Sequence, residues 1–358
     1  MSPDPGGNRS WRVRRYRPGD EQALLALFNA EFGLQRTLEH WQWQFRDNPY
    51  GGPYIVVAER EADGMLVGSH VAMPFPLNVL GRERVGGHSL DLVVHHDFRR
   101  QGIFETTASA CFEWLREAGV AAVVAFPNAN SYPGFVRTLG WHRIVVPQRW
   151  TRRIGTRHMP GGPPARAVGW LLDLPLRMAS RFDLARRTAA ARADGTRFAV
   201  HPSVPASVDA LWDGRRSQEV LSLWKDRRYL AWRYEANPDH RFEFSCLEGG
   251  DGLTAFAVTT ILGSRQMLCE LMVRDRSSST AARLVSHIVA RAIDDGLDSV
   301  GFLGSDYGLY DEAFAGFRSH RAHENVFCGR SLVTDDDLPV RLPVPENWTL
   351  VFGDGDFV

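Results

Sequence analysis

The sequence has almost no lysine. Lys225 is the single one among 42 basic residues. Such a preference for arginine reads as genomic composition bias before it reads as function. There is no net charge either, because 42 acidic residues balance the basic ones. Bulk nucleic-acid binding needs a surplus of positive charge, so the balance argues against it. Cysteine is scarce: Cys111, Cys246, Cys269 and Cys328 form no C-x-x-C pair and no regular spacing. That leaves neither a zinc site nor a disulfide framework to expect. Reduced thiols in a cytoplasmic protein are the expectation. No run of about 18 uninterrupted apolar residues is present, so no transmembrane segment is expected. The opening "MSPDPGGNRS" lacks the apolar core of a signal peptide and reads as a disordered tail, residues 1–10.

What is present is a globular chain, 44% hydrophobic and 23% charged. Its 358 residues exceed one ordinary core and predict two domains. The chain also repeats itself. Residues 43–49 read "WQFRDNP" and residues 232–238 read "WRYEANP", both W-x-[FY]-x-x-N-P. Each copy continues into a strand, an acidic Gly turn and a second strand, which is a hairpin signature. Further on, "SLDLVV", a helix and "GVAAVVAFPN" are matched by "LCELMV", a helix and "GLDSVGFLGS". The same parts in the same order imply two domains of one fold, related by duplication.

The first copy reads β-α-α-β-β-β-α-β-α-β, with "HRIVVPQRW" as its last strand. This is an α/β fold, with helices on the faces of a mixed sheet. Between the copies, "MPGGPPARA" is a linker signal. The following "VGWLLDLPLRMASRFDLARRTAAARA" alternates apolar residues with arginine. It suits a helix on a membrane surface, or a helix packed between the domains with arginine on its wet face. Pro175 interrupts the pattern and favours the packed helix.

The stretch "VVHHDFRRQGIFETTASACFEWLREAG" ends a strand and enters a long helix through Arg-Arg-Gln-Gly. A helix N-terminus exposes unpaired N–H groups and a positive dipole end. After a turn it is a ready anion site. Gly102 lets backbone approach a bulky anion. Arg99 and Arg100 add planar donors suited to phosphate. Neither GxxxxGK[ST] nor GxGxxG is present. The HHxxxDG signature fails too, because Arg100 stands where Asp is required. His95 and His96, being adjacent, are expected to point apart and not to share a metal.

The pattern [RQ]-x-x-G-x-[GA] after a strand and opening a helix is similar to the acetyl-CoA motif of the GNAT superfamily of N-acetyltransferases. Arg99, Arg100, Gln101, Gly102, Ile103 and Phe104 fit it, with Phe104 where the family has a small residue. The downstream "PNANSYPGFVRTLGW" fits as well, with an Asn, an aromatic and a closing Gly-aromatic pair. The second copy resembles the fold only. Its turn, "VRDRSSSTAARL", has no glycine and is expected to bind CoA poorly or not at all. The resemblance implies two tandem acyl-CoA N-acyltransferase (GNAT-like) domains, the second degenerate. The expected boundaries are 11–150 for the CoA-binding domain, 151–197 for the linker and helix, 198–335 for the second domain and 336–358 for a C-terminal tail, for which Trp348, Leu350, Val351 and Phe352 suggest docking.

The resemblance also implies a chemistry. Acetyl-CoA is the co-substrate, no metal takes part, and the acceptor is a primary amine of a small molecule, an amino sugar being one candidate. Backbone of Leu92, Val93 and Val94 pairs with the pantetheine arm, and a strand N–H there polarises the thioester oxygen. Asn128 bonds CoA or caps a helix. Asp91 is the candidate base, or else the partner of a nearby arginine. Tyr132 replaces the family's usual general acid, since Val136 stands at that position; otherwise it is a packing aromatic. Trp41, Trp43 and His88 are candidate acceptor contacts, on the expectation that Trp41, Trp43 and Phe45 cannot all be core. Some tandem relatives thread the C-terminal tail into the active site, where Asp354, Asp356 or the Val358 carboxylate would act as base or amine anchor; a frayed terminus is the default. A non-catalytic CoA-binding or interaction protein, or a tandem transferase for longer acyl or aminoacyl groups, stays open, as does oligomerisation.

Overall fold

The computed structural model describes residues 10–158, 163–189, 195–305, 308–334 and 337–355. The expected N-terminal tail, apart from Ser10, and Asp356 and Val358 lie outside the described residues.

β1 (Trp11–Arg15) leads to α1 (Glu21–Phe32), which buries Leu24, Leu25 and Leu27 and stops at Gly33 with φ 65°. Glycine takes that left-handed conformation without strain. α2 (Leu38–Trp41) is capped by the Thr37 hydroxyl, which accepts the His40 amide at 3.1 Å. It runs on as a π-turn, Gln42–Arg46, in which the Asp47 amide donates to the Gln42 carbonyl at 2.8 Å. The wider turn sets Trp43, Gln44 and Phe45 inward in succession. Trp41, Trp43 and Phe45 are therefore all core, which corrects the expectation that they cannot be. β2 (Tyr54–Arg60), β3 (Leu66–Val79) and β4 (Arg82–Val94) follow, then α3 (Ile103–Glu117), β5 (Ala122–Ala125) and a π-turn at Gly134–Thr138. The single last strand expected is two strands, β6 (His142–Val145) and β7 (Gln148–Arg153), broken at Pro147.

α4 (Pro163–Ala189) runs through Pro175 rather than stopping there. Its polarity is inverted relative to the packed helix expected. Asp173, Arg177 and Ser180 are buried, while Leu171, Leu172, Leu174, Met178 and Phe182 are each more than half exposed. Arg177 is drawn inward by Asp173 at 2.8 Å and by the carbonyls of Ile293 and Gly296 at 3.2 and 2.9 Å. Those carbonyls close a helix C-terminus, where a cation is favoured.

The rest repeats the earlier plan. β8 (Arg197–His201), α5 (Val208–Arg215), β9 (Leu221–Leu223), α6 (Arg227–Leu230) and a second π-turn, Ala231–Glu235, precede β10 (Phe242–Gly249), β11 (Gly252–Leu262) and β12 (Arg265–Val273). Then come α7 (Ser278–Asp294), β13 (Ser299–Ser305), α8 (Leu309–Ala313), β14 (Arg318–Arg321), β15 (Phe327–Ser331), α9 (Leu338–Arg341) and β16 (Leu350–Val351). β4 runs parallel to β5, with Gly86 opposite Ala122 and His88 opposite Val124. β12 runs parallel to β13 in the same register, with Arg265 opposite Ser299 and Met267 opposite Gly301.

There are two mixed eight-stranded sheets. One orders β1-β2-β3-β4-β5-β15-β6, with β9 on the end of β3. The other orders β14-β7-β13-β12-β11-β10-β8, with β16 on β13. Each sheet borrows from the other copy. β7 pairs with β13 and β14, and β15 pairs antiparallel with β5, Cys328 opposite Ala125. The compact units are therefore not contiguous blocks. One holds the chain up to Pro76, Arg84–Arg143 and Cys328–Pro343; the other holds Leu77–Glu83, Ile144–Phe327 and the chain from Val344. These run across the boundaries expected at 150 and 335. In the second unit, Trp150, Phe302, Tyr310 and Phe314 join α7 in one large apolar core.

Candidate active site

In the first unit, pairing between β4 and β5 stops at His88 and Val124. Beyond that point β4 runs on without β5, and its residues 92–94 border a cleft of about 700 Å³. Leu92, Val93 and Val94 line one side, and Asn128, Asn130, Ser131 and Gly134 line another. Arg99, Phe104, Glu31 and Phe32 complete it. Of the expected cofactor-binding residues, Leu92, Val93, Val94, Arg99, Phe104 and Asn128 line this one cavity, whereas Arg100, Gln101, Gly102 and Ile103 are not among its lining residues.

The turn leaves the start of α3 uncapped. Arg100 has φ 62° and Gly102 has φ 81°, so the chain reverses through two left-handed residues. A Cβ on Gly102 would meet nothing within 4 Å, so conformation rather than crowding asks for glycine there. No side chain caps α3. Its first N–H groups keep their hydrogen-bonding capacity, and the positive dipole end faces outward. Ile103 is buried with Trp11, Ala58 and Val67, so only its backbone can serve a ligand. Phe104 sets its ring edge-on to Phe135 at 6.0 Å. Gln101 donates to the Asp97 carbonyl at 3.3 Å.

Arg99 is held by Glu31 at 2.5 Å. The other Glu31 oxygen accepts from the His96 amide at 3.0 Å and meets its Nδ1 at 2.8 Å. Burial raises the Glu31 pKa, but the His96 hydrogen bonds and the His96 and Arg99 charges outweigh it and hold the carboxyl below its ordinary value. The hydrogen bond from Glu31 raises His96. His95 and His96 do not point apart as expected. Their rings stack at 4.3 Å, because the short 3-10 turn His96–Phe98 bends the chain between them. The ligand atoms of Glu31, His95 and His96 lie within 4.8 Å of one another.

Asp91 sits at a kink in β4, with φ 49°, and its carboxylate is bound by Arg36. The pair lines a narrow crevice with Leu24, Phe28, Trp41 and Ser69. Arg36 also lies over the Phe28 ring, 4.3 Å from its centre. The arginine reading of Asp91 is the one this geometry favours. Asn128 caps the following turn, accepting from the amides of Asn130 and Ser131 at 3.0 Å each, and it also borders the cleft. Tyr132 is half-buried and is not among the residues lining the cleft. His88 is buried beside Phe126, and Trp43 is buried against His40. Neither borders either cavity.

Sequence reasoning missed Glu31, Arg36 and His70. His70 is fully buried, bonded to the Ser89 hydroxyl at 3.0 Å, and burial pushes it down to about 3, so it is neutral. Arg36 was discoverable: the repeat places it at the position of Lys225, seven residues before the motif tryptophan in each copy.

In the second unit the corresponding features are closed. Ser277 caps α7, its hydroxyl accepting from the Thr280 amide at 3.2 Å. β16 pairs with β13 beyond the β12–β13 ladder, Val351 opposite Gly304. Asp354, at the end of that segment, is buried and bonded to Lys225 at 2.5 Å. Asp354 thus belongs to the second unit's own cluster, and residues 350–355 are buried rather than frayed.

Residues 12–144 match the family model described as "Acetyltransferase (GNAT) domain". No curated protein sequence matches the chain. Among solved structures, a GCN5-related N-acetyltransferase from Kribbella flavida is similar at a TM-score of 0.62 and 15% identity, over 90% of this chain and 72% of that one. Another from Anabaena variabilis gives 0.61 and 10%, over 90% and 73%. An N-myristoyltransferase from Saccharomyces cerevisiae with bound myristoyl-CoA gives 0.55 and 12%, over 92% and 84%. Residues 12–144 thus carry the match to a GNAT acetyltransferase domain, and the whole chain has the fold of two tandem GNAT-like domains. Among the described residues no helix is long and apolar enough to cross a membrane.

Proposed function

We propose that the first unit binds acetyl-CoA in the 700 Å³ cleft and passes its acetyl group to a primary amine of a small molecule, such as an amino sugar. The observation that carries this is the uncapped N-terminus of α3, opening beside Arg99 onto residues 92–94 of β4. The diphosphate rests on that helix end. The pantetheine arm runs along Leu92, Val93 and Val94, and a strand N–H polarises the thioester oxygen. The amine nitrogen forms a bond to the thioester carbon, the C–S bond breaks, and the thiolate leaves. Asp91, directly or through water, takes the amine proton, and Tyr132 supplies one to the thiolate. No metal is needed for this sequence of steps. Four buried free cysteines support a cytoplasmic setting.

The test is calorimetric titration with acetyl-CoA. Binding by the intact protein, lost in Gly102→Trp, is the expected outcome; no binding by the intact protein overturns the reading. A second reading, CoA binding without turnover, is favoured by the Arg36 bond that already occupies Asp91. Asp91→Asn and Tyr132→Phe separate the two. An enzyme loses about 10² or more of its turnover in either variant while still binding acetyl-CoA.

A further inference from the structure

The duplication supplies an internal template. The two π-turns align residue for residue, so Arg36 corresponds to Lys225, Gln44 to Arg233 and Phe45 to Tyr234. The matched registers of β4–β5 and β12–β13 make Asp91 correspond to Glu270. A cation–acid pair therefore stands at the same place twice: Arg36 with Asp91, and Lys225 with Glu270, the latter at 2.6 Å.

In the second unit that pair has a guest. The Lys225 ammonium also binds the Asp354 carboxylate at 2.5 Å. Arg233 donates to the carbonyls of Gly353 and Gly355 at 3.3 and 2.5 Å. The Tyr234 hydroxyl donates to Glu270 at 2.8 Å. β16 and the 3-10 turn that follows it, Phe352–Asp354, thus lie where β12 and β13 part and set the Asp354 carboxylate on the cation of the pair.

In the first unit the same seat has no such guest among the described residues. Arg36 uses Nη1 on Asp91 and has no other side-chain hydrogen bond among the described residues. Gln44, at the place of Arg233, is 3% exposed, and its Oε1 has no hydrogen-bond partner among the described residues. A buried orphan acceptor is costly, and a ligand N–H would relieve it.

We infer that Arg36 is a specificity residue: it receives a carboxylate carried by one of the reacting ligands, seated as Asp354 is seated on Lys225, with Gln44 accepting an N–H from the same ligand. This rests on the acyltransferase reading and narrows its substrate class. A guanidinium already engaged through one edge still offers planar donors to a second carboxylate. The carboxylate belongs either to the amine acceptor or to the acyl group of the donor.

Two titrations distinguish these sources. Protein saturated with CoA is titrated with N-acetylglycine and with its neutral amide, N-acetylglycinamide. Free protein is titrated with succinyl-CoA and with butyryl-CoA. In one of the two pairs the acid is expected to bind about tenfold more tightly than its neutral counterpart. A preference in the first pair places the carboxylate on the acceptor, and one in the second pair places it on the acyl group. Arg36→Met abolishes the preference, whereas Arg36→Lys, which copies the second unit, retains it. Thermal melts check folding, and Arg36→Gln serves if Arg36→Met does not fold. CoA binding with no acid preference in either pair overturns the inference alone, as does a preference that survives Arg36→Met. Failure to bind any CoA ester overturns the acyltransferase reading, and the inference with it.

Discussion

Where β4 and β5 part, the first unit has a cleft of about 700 Å³ and a helix end that no side chain caps. Where β12 and β13 part, the second unit has strand β16 and a helix end capped by Ser277. The backbone plan is the same in both, down to the π-turn and the register of the parallel strands. What differs is a few side chains at the opening. Gly102 stands at the helix start in one copy and Ser277 in the other, and among the described residues a segment at 350–355 docks in the second alone. The fold makes a gap between two parallel strands in both copies, and local side chains together with one length of chain decide whether it stays open or is sealed.

Four experiments test that contrast. The largest effect is expected at the sealed cluster. Lys225→Met leaves Glu270 and Asp354 buried together without their cation, and removing one partner of a buried ion pair costs about 3–5 kcal/mol. Arg36→Met, whose pair is partly exposed, should cost distinctly less in the same denaturant titration. Next comes Gly102→Val, which forces a β-branched residue to φ 81° and puts Cβ at the anion site. The left-handed backbone costs about 1–2 kcal/mol of folding stability, and the added side chain should lower acetyl-CoA affinity about tenfold or more by calorimetry.

The third contrast is in pH. Burial pushes Glu270 up to about 7, against the pull of Lys225 and Tyr234. Between the ordinary value of 4.5 and that value, the folded protein keeps a proton that the unfolded chain has released. The folded state binds more protons there, so this group's contribution to stability declines as pH rises through the window. Glu270→Gln should flatten that decline in melts run across it; an unchanged slope would show that another group carries it. The smallest effect is Ser277→Ala, which removes a cap worth about 1 kcal/mol from the second unit. Gly102 has no side-chain cap to lose, so the first copy has no counterpart to this change.

Much of this was legible in the chain. Alternating and helical periodicities placed the strands and helices, because burial of one face fixes the period. The repeat announced two copies, and the turn at residues 99–102 announced a helix start without a side-chain cap. Other features were not legible. A run such as "WQWQF" has no helical period, and only the π-turn explains how Trp43, Gln44 and Phe45 all face inward. Nothing local showed that α4 would bury Arg177 and expose Leu171, since the carbonyls that attract the arginine come from residues far along the chain. The strands β7 and β15 cross between sheets because their partners are chosen by edges that sequence order does not name.

Residue order was enough to read the order of elements, the duplication and the glycine that opens α3. These depend on contacts between near neighbours: hydrophobic period, glycine conformation and backbone N–H groups left free at a helix start. Tertiary structure alone decided that Asp91 meets Arg36, that Glu31 holds Arg99 and that the tail reaches Lys225 rather than solvent. Each of those is a pairing of charges distant in sequence. Its strength depends on burial and on geometry at a few ångströms, which the order of residues along the chain does not specify.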